Sequence, residues 1–218
     1  MKKIIVILSA MMLITVSVNA QIGVKYGLKA GLNVSQFGSG TLKGDGQPLD
    51  IEASGMLAGF HAGGMLNVNF GGLIGIQPEV QFSMQGETED DGGETLKTTL
   101  GFINVPILVD IQPIPNLSIL VGPQVGFNVY RSMSEDGVSV SGSTLDERLE
   151  AMGMKINTLD FAAVLGVQYT LLGHLTVGAR YNFGLTPALG LTSVAKDAGM
   201  SLSGGAHRVI QVSVGWFF

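Results

Sequence analysis

Cysteine is absent from all 218 residues. That excludes disulfides, thiol nucleophiles, thiolate metal sites and a lipid-modified cysteine after a leader. Charge is also scarce: Asp, Glu, Lys and Arg together make up 13%, and the balance is acidic at −5. An acidic chain is a poor partner for nucleic acid, whose phosphates call for a basic surface. Beyond the first twenty residues no apolar run approaches the ~20 residues of a membrane-spanning helix. The apolar share is nevertheless 46%. High apolar content without helical spans is what a transmembrane barrel produces, because every second residue of its strands faces lipid. Glycine, with 32 residues, suits a narrow barrel interior and strand bends.

The N-terminus sets the compartment. Met1-Lys2-Lys3 is a positive start, Ile4 to Val18 is apolar, and Val18-Asn19-Ala20 has the small residues of a cleavage site. This is the pattern of a secretory signal peptide, cut before Gln21. A retained membrane helix is the alternative, but the run is short and Ser9, Thr15 and Ser17 interrupt it. The expected organisation is a signal peptide at 1–20 and one domain at 21–218, with a net charge of −7 once Lys2 and Lys3 are lost.

The last twelve residues show the strand pattern most plainly. Ile210, Val212, Val214, Trp216 and Phe218 fall on one face, with Gln211, Ser213 and Gly215 on the other. A period of two marks a strand with one apolar face. An apolar aromatic end fits the closing stave of a barrel, with Trp216 and Phe218 at the membrane interface. Seven further stretches carry the same alternation: Val24 to Val34, about Leu57 to Phe70, Leu73 to Met84, about Thr98 to Ile111, Leu117 to Tyr130, about Asn157 to Leu171, and Leu175 to Leu185. Several reach the ~9–11 residues that a tilted strand needs to cross a bilayer. The expected fold is all-β, an eight-stranded antiparallel up-and-down transmembrane β-barrel.

Connections alternate short and long. Short turns fall at Gly71-Gly72, at Gln112 to Asn116 and at Leu172-Gly173-His174. Long polar segments fall at 35–56, 85–97, 131–156 and 186–206, and hold fourteen of the seventeen acidic residues. Short periplasmic turns and long extracellular loops are the habit of outer-membrane barrels, whereas a soluble β-sandwich has no reason for strict alternation of connection length. One segment carries a helical patch from Ser143 to Met152. Thr144 and Glu147 have capping-box spacing and Gly153 suits the C-terminal cap, so one short helix is expected in this extracellular loop.

Taken together, Gly27 to Asn33, Gln77-Pro78-Glu79, Val105 to Leu108, Gly122-Pro123, Asp160-Phe161, Ala179-Arg180-Tyr181 and the terminal Phe218 resemble the PorT-like, or outer membrane protein beta-barrel domain, family of Gram-negative envelopes. The resemblance spans nearly the whole mature chain. It implies an eight-stranded outer-membrane barrel and does not specify an activity, since members include secretion-associated proteins. The acidic residue often found where Asn104 stands is missing.

Strand phase puts Lys25, Lys29, Glu79, Asp110, Asp160 and Arg180 on the lumen face, three of each sign. Buried charges are costly unless paired, so a structural interior network is expected, centred on Glu79, Arg180 and Asp160. The functional alternative is a gated polar path for ions or protons. The histidines, His61, His174 and His207, fall at lumen, periplasmic turn and far rim. No two are placed to act together, and a hydrolase needs its serine, histidine and orienting group in contact. No catalytic residues, cofactor or metal are therefore expected. The acidic run from Glu87 to Glu94 could at most hold a hard cation weakly, lacking the spacing of a calcium loop. The expected function is a membrane anchor that presents acidic, glycine-rich loops outside the cell. Outer-membrane lipid, the barrel-assembly machinery during insertion and envelope proteins are its expected partners. A secretion accessory, a narrow pore and a soluble lipocalin-like barrel are the rival readings.

Overall fold

Alternating stretches punctuated by glycine form strands that no single sheet face can bury, and here they close on themselves. The computed structural model describes residues 23–43, 49–51, 55–71, 73–91, 94–135, 138–197 and 199–218. The expected signal peptide at 1–20 lies outside them. Eight long strands make the wall: β1 Gly23–Phe37, β4 Gly55–Asn69, β5 Ile74–Asp91, β6 Glu94–Ile114, β7 Leu117–Glu135, β10 Leu159–Leu171, β11 Leu175–Pro187 and β14 Ala206–Phe217. Each pairs antiparallel with its neighbour in the chain, and β1 pairs with β14 to close the ring. Closure leaves no unpaired edge, the condition for a sheet to span lipid.

The two faces differ as the alternation predicts. Leu28, Leu32, Leu165, Val167, Val212 and Val214 are exposed on the outside, while Asn33, Gln77, Glu79, Gln81 and Gln211 are buried inside. At one rim the outward aromatics gather: Tyr26 stacks on Phe218 at 5.6 Å and Trp216 on the His174 ring at 5.5 Å. An aromatic girdle at the interface is a property of membrane barrels. The tight turns sit at this rim. The second is tighter than expected, because β6 continues through Pro113 so that Ile114 pairs with Leu117. Asn116 takes the left-handed conformation there, at φ 69°.

At the opposite rim the wall is uneven. β5, β6 and β7 run 18, 21 and 19 residues, against 13, 13 and 12 for β10, β11 and β14. Most of the segment expected as a loop at 85–97 is thus a hairpin continuing to Asp91 and Glu94. Its residues are polar on both faces, which erases the apolar period without weakening the backbone ladder. β8, Val138–Ser141, returns alongside the end of β7.

The remaining segments knit into a cap. β2, Gly40–Lys43, pairs with β3, Leu49–Ile51, and with β13, Ser201–Gly204. β9, Met154–Ile156, pairs with β12, Leu189–Leu191. The expected helix is present as α1, Ser143–Ala151, and a second, α2, spans Ser193–Asp197. The expected capping box at α1 does not form: Gly142 is the N-cap, and no side chain bonds back to the first turn. Gly153 past its end has φ 75°, the left-handed geometry that glycine accepts at a helix C-terminus.

Candidate functional site in the barrel interior

Lys29 lies on β1 with Gly215 of β14 on one side and Gly63 of β4 on the other. Those bare neighbours leave its chain room to cross the lumen. Arg180 on β11 faces Gly166 of β10, where a Cβ would come within 2.7 Å of the Arg180 Cβ. Only glycine allows that approach. Both cations converge on Glu79 of β5. Lys29 Nζ donates to Oε2 at 2.5 Å, and Arg180 donates through Nη1 to Oε2 at 2.9 Å and through Nη2 to Oε1 at 3.0 Å. The fork of Arg180 thus grips the carboxylate in two places, the strong geometry for this pair. All three residues are buried.

The carboxylate is also the end of an amide chain. Gln77 Nε2 donates to Glu79 Oε1 at 2.8 Å, and Asn67 Nδ2 donates to Gln77 Oε1 at 3.1 Å. Asn67 reaches Asp110 Oδ2 at 2.7 Å, where Gln112 Nε2 also donates at 2.8 Å. Gln77 lies 3.5 Å from Gln168 across the lumen. Polar contacts therefore run from β11 through β1, β5 and β4 to β6. Beside them, Leu108, Leu120 and Val164 form a small apolar core on the inner face. Apolar residues line both faces of those strands, which hides inward leucine from a reading of periodicity.

Two of the six expected network members stand elsewhere. Lys25 is exposed at the first rungs of β1. Asp160 does not meet Arg180: it accepts from Thr186 Oγ1 at 2.9 Å. Register explains the miss, since Arg180 pairs with Gly166, six residues farther along β10 and so ~20 Å away. Asp110 is buried and bonded to amides instead of a cation.

The end of the lumen opposite the tight turns is closed by apolar packing. Leu145 and Leu149, one turn apart on α1, pack with Phe37, Leu100, Phe102, Ile156 and Ala188. Arg131 pins the helix through an ion pair with Asp146. His207 is buried edge-on between Phe37 and Phe102, with ring centroids at 4.7 and 5.2 Å. His61 lies deeper, its Nδ1 2.6 Å from Asn33 Oδ1, and His174 Nδ1 lies 2.9 Å from the Phe217 carbonyl at the opposite rim. The three histidines keep separate partners. Among the described residues no group of three His, Asp or Glu side chains is placed to hold a metal. The plug was invisible to pattern reading because it joins four segments distant in sequence, although Leu100 and Phe102 share the inward phase of Asn104.

A family model described as "Outer membrane protein beta-barrel domain" matches residues 18–190. Among solved structures, Ail, the attachment invasion locus protein of Yersinia pestis, crystallised with the heparin analogue sucrose octasulfate, is similar at 14% identity and a TM-score of 0.45; the match covers 89% of this chain and 99% of that one. Neisserial surface protein A is similar at 12% identity and a TM-score of 0.47, over 89% and 97% of the two chains. No curated protein matches the chain.

Proposed function

The chain belongs to the outer membrane protein beta-barrel domain family, and from that premise we propose that its barrel is a sealed anchor holding a folded cap outside the cell. The observation that carries this reading is the double filling of the lumen. The Lys29–Glu79–Arg180 cluster bridges β1, β5 and β11, and the α1 plug closes the outer mouth. An eight-stranded barrel is just wide enough for side chains to fill, and a filled lumen leaves no path for solutes. Export by residues 1–20 and insertion through a terminal strand carrying Trp216 and Phe218 belong to the same proposal, with the barrel-assembly machinery as the transient partner.

Planar-bilayer recording with the folded chain tests it. No stable single-channel conductance is expected, and a steady large conductance would establish the pore reading instead. Enzymatic chemistry has no support in the geometry, because among the described residues no histidine touches a serine or a carboxylate.

The finer PorT-like kinship, with a secretion-associated role, rests on motifs whose charged members fall on the interior. Gln77 and Glu79 of the Gln77-Pro78-Glu79 motif, Lys29 of the first strand and Arg180 are the members of the buried cluster. These residues support a shared barrel interior, and none of them lies on a surface that a secretion machine could touch. Crosslinking from the cap and the tight turns in whole envelopes reads the partner directly.

A further inference from the structure

On the lipid-facing wall, the ladder between β4 and β5 slips. Met56 pairs with Glu87 and His61 with Ser83, so four residues of β4 stand against three of β5. The slip frees backbone carbonyls that the ladder would have used. Side chains from β1 take them from inside: Asn33 Nδ2 donates to Phe60 O at 3.0 Å and Met84 O at 2.9 Å. Ser35 Oγ lies 3.3 Å from Leu57 O and 3.0 Å from Gly86 O, and accepts from Gly86 N at 2.8 Å. The inner side of the slip is thus sealed. On the outer side, the bulge and the small Ala58 and Gly59 leave a hollow of about 150 Å³, lined also by Phe60, Met84, Lys97 and Thr99.

Its height on the wall decides what can fill it. Ala58 is eleven residues from Asn69, the end of β4 at the tight-turn rim. At ~3.3 Å per residue and a tilt of ~40° that is roughly 28 Å. An apolar band of about 25 Å ends just below it. The hollow therefore opens at the headgroup level of the outer leaflet, with Ala58, Phe60 and Met84 lining it beside the polar Gln85 and Thr99 and the cation Lys97. An acyl chain matches the apolar part of that lining and a phosphate matches the lysine, whose ammonium attracts anions as a point charge.

We propose that this β4–β5 hollow, with Lys97, is a binding site for one phosphate-bearing anionic lipid of the surrounding membrane. The proposal rests on the barrel lying in a bilayer, and insertion is scored separately by the gel shift of the heat-resistant folded barrel. The full chain is folded into mixed vesicles of phosphatidylglycerol and phosphatidylcholine, and lipid retained after detergent release is counted by native mass spectrometry. One phosphatidylglycerol per barrel is expected. Lys97→Gln should weaken its retention about tenfold, the change that ~1.4 kcal/mol produces. Ala58→Phe, which fills the hollow and keeps the charge, should weaken it similarly, whereas Lys97→Arg should retain it. Arg208→Gln removes an exposed cation from β14 near the same rim and should change nothing. Retention in Lys97→Gln or Ala58→Phe as strong as in the unsubstituted chain, equal binding of both lipids, or loss caused by Arg208→Gln would each overturn the proposal. If one variant gives no folded band, the remaining three substitutions decide the matter.

Discussion

Glu79 accepts four hydrogen bonds, two of them from one guanidinium, and is the only carboxylate in contact with either Lys29 or Arg180 among the described residues. Removing it strands two cations, and arginine cannot shed its proton to escape. Removing Arg180 leaves Glu79 still held by Lys29 and Gln77. Glu79→Gln is therefore expected to destabilise the folded barrel more than Arg180→Met, each near the ~3–5 kcal/mol seen when one partner of a buried pair is lost. The double variant should recover part of the sum, as groups in one network do. Urea titration in vesicles measures this, and strict additivity would show that the two side chains act independently. Asp160→Asn, by contrast, should cost about 1 kcal/mol or less, since Thr186 can donate to an amide oxygen as well. The contrast marks what strand phase reveals and what it conceals. Phase assigns a residue to a face, so Lys29, Glu79 and Arg180 fall inside. Depth along the barrel depends on register, which no alternation encodes, and that is why Lys25 lies exposed at an end and Asp160 lies a strand-half away from Arg180.

The elements follow the same logic. On β7, Val125 faces lipid near mid-strand and Gln124 faces the lumen. Leu165→Arg on β10, near mid-band, should cost ~2–4 kcal/mol, the penalty for arginine at the bilayer midplane. Val125→Arg, level with Phe161 and nearer the capped rim, should be destabilising by less. A neutral Val125→Arg in a lipid unfolding titration would reverse the inside–outside assignment of that strand. The strands were legible wherever one face was apolar and the other polar. The upper halves of β5 and β6 were not, because Glu87, Thr88, Lys97 and Thr98 are polar on both sides and leave no apolar period to mark the backbone pairing there. α1 was legible through Gly153 at its C-terminal end, although the Thr144–Glu147 capping box that also pointed to it does not form. Its N-terminus was not, because Gly142 at φ 60° begins the helix without a side-chain cap. α2, at five residues, is too short to show a period.

For the whole molecule, the aromatic rim with its tight turns and the capped rim point to opposite sides of the membrane. With the cap outside, trypsin added to intact cells should reach exposed sites at Arg148, Lys155 or Lys196 and leave the wall uncut. Cleavage at these sites only after the outer membrane is broken would invert the topology. The digest should also be slow, because α1 is anchored by its buried leucines and β9 and β12 hold each other.

The interlocked cap has a consequence for how such a surface can change over generations. Three of the four connections at the capped rim share sheets: the first with the last through β2 and β13, and the third with the last through β9 and β12. A substitution that alters one of these connections changes the partner surface of another, so viable variants must arise in matched pairs. The β5–β6 hairpin is also paired with β7 as far as Leu96, and beyond Leu96 its described tip pairs only with itself. It is the part of the outer face free to drift alone, and foreign sequence inserted between Asp91 and Glu94 should be displayed on cells while the same insert in β13 should not. A molecule under pressure to look new to its surroundings would renew itself there first.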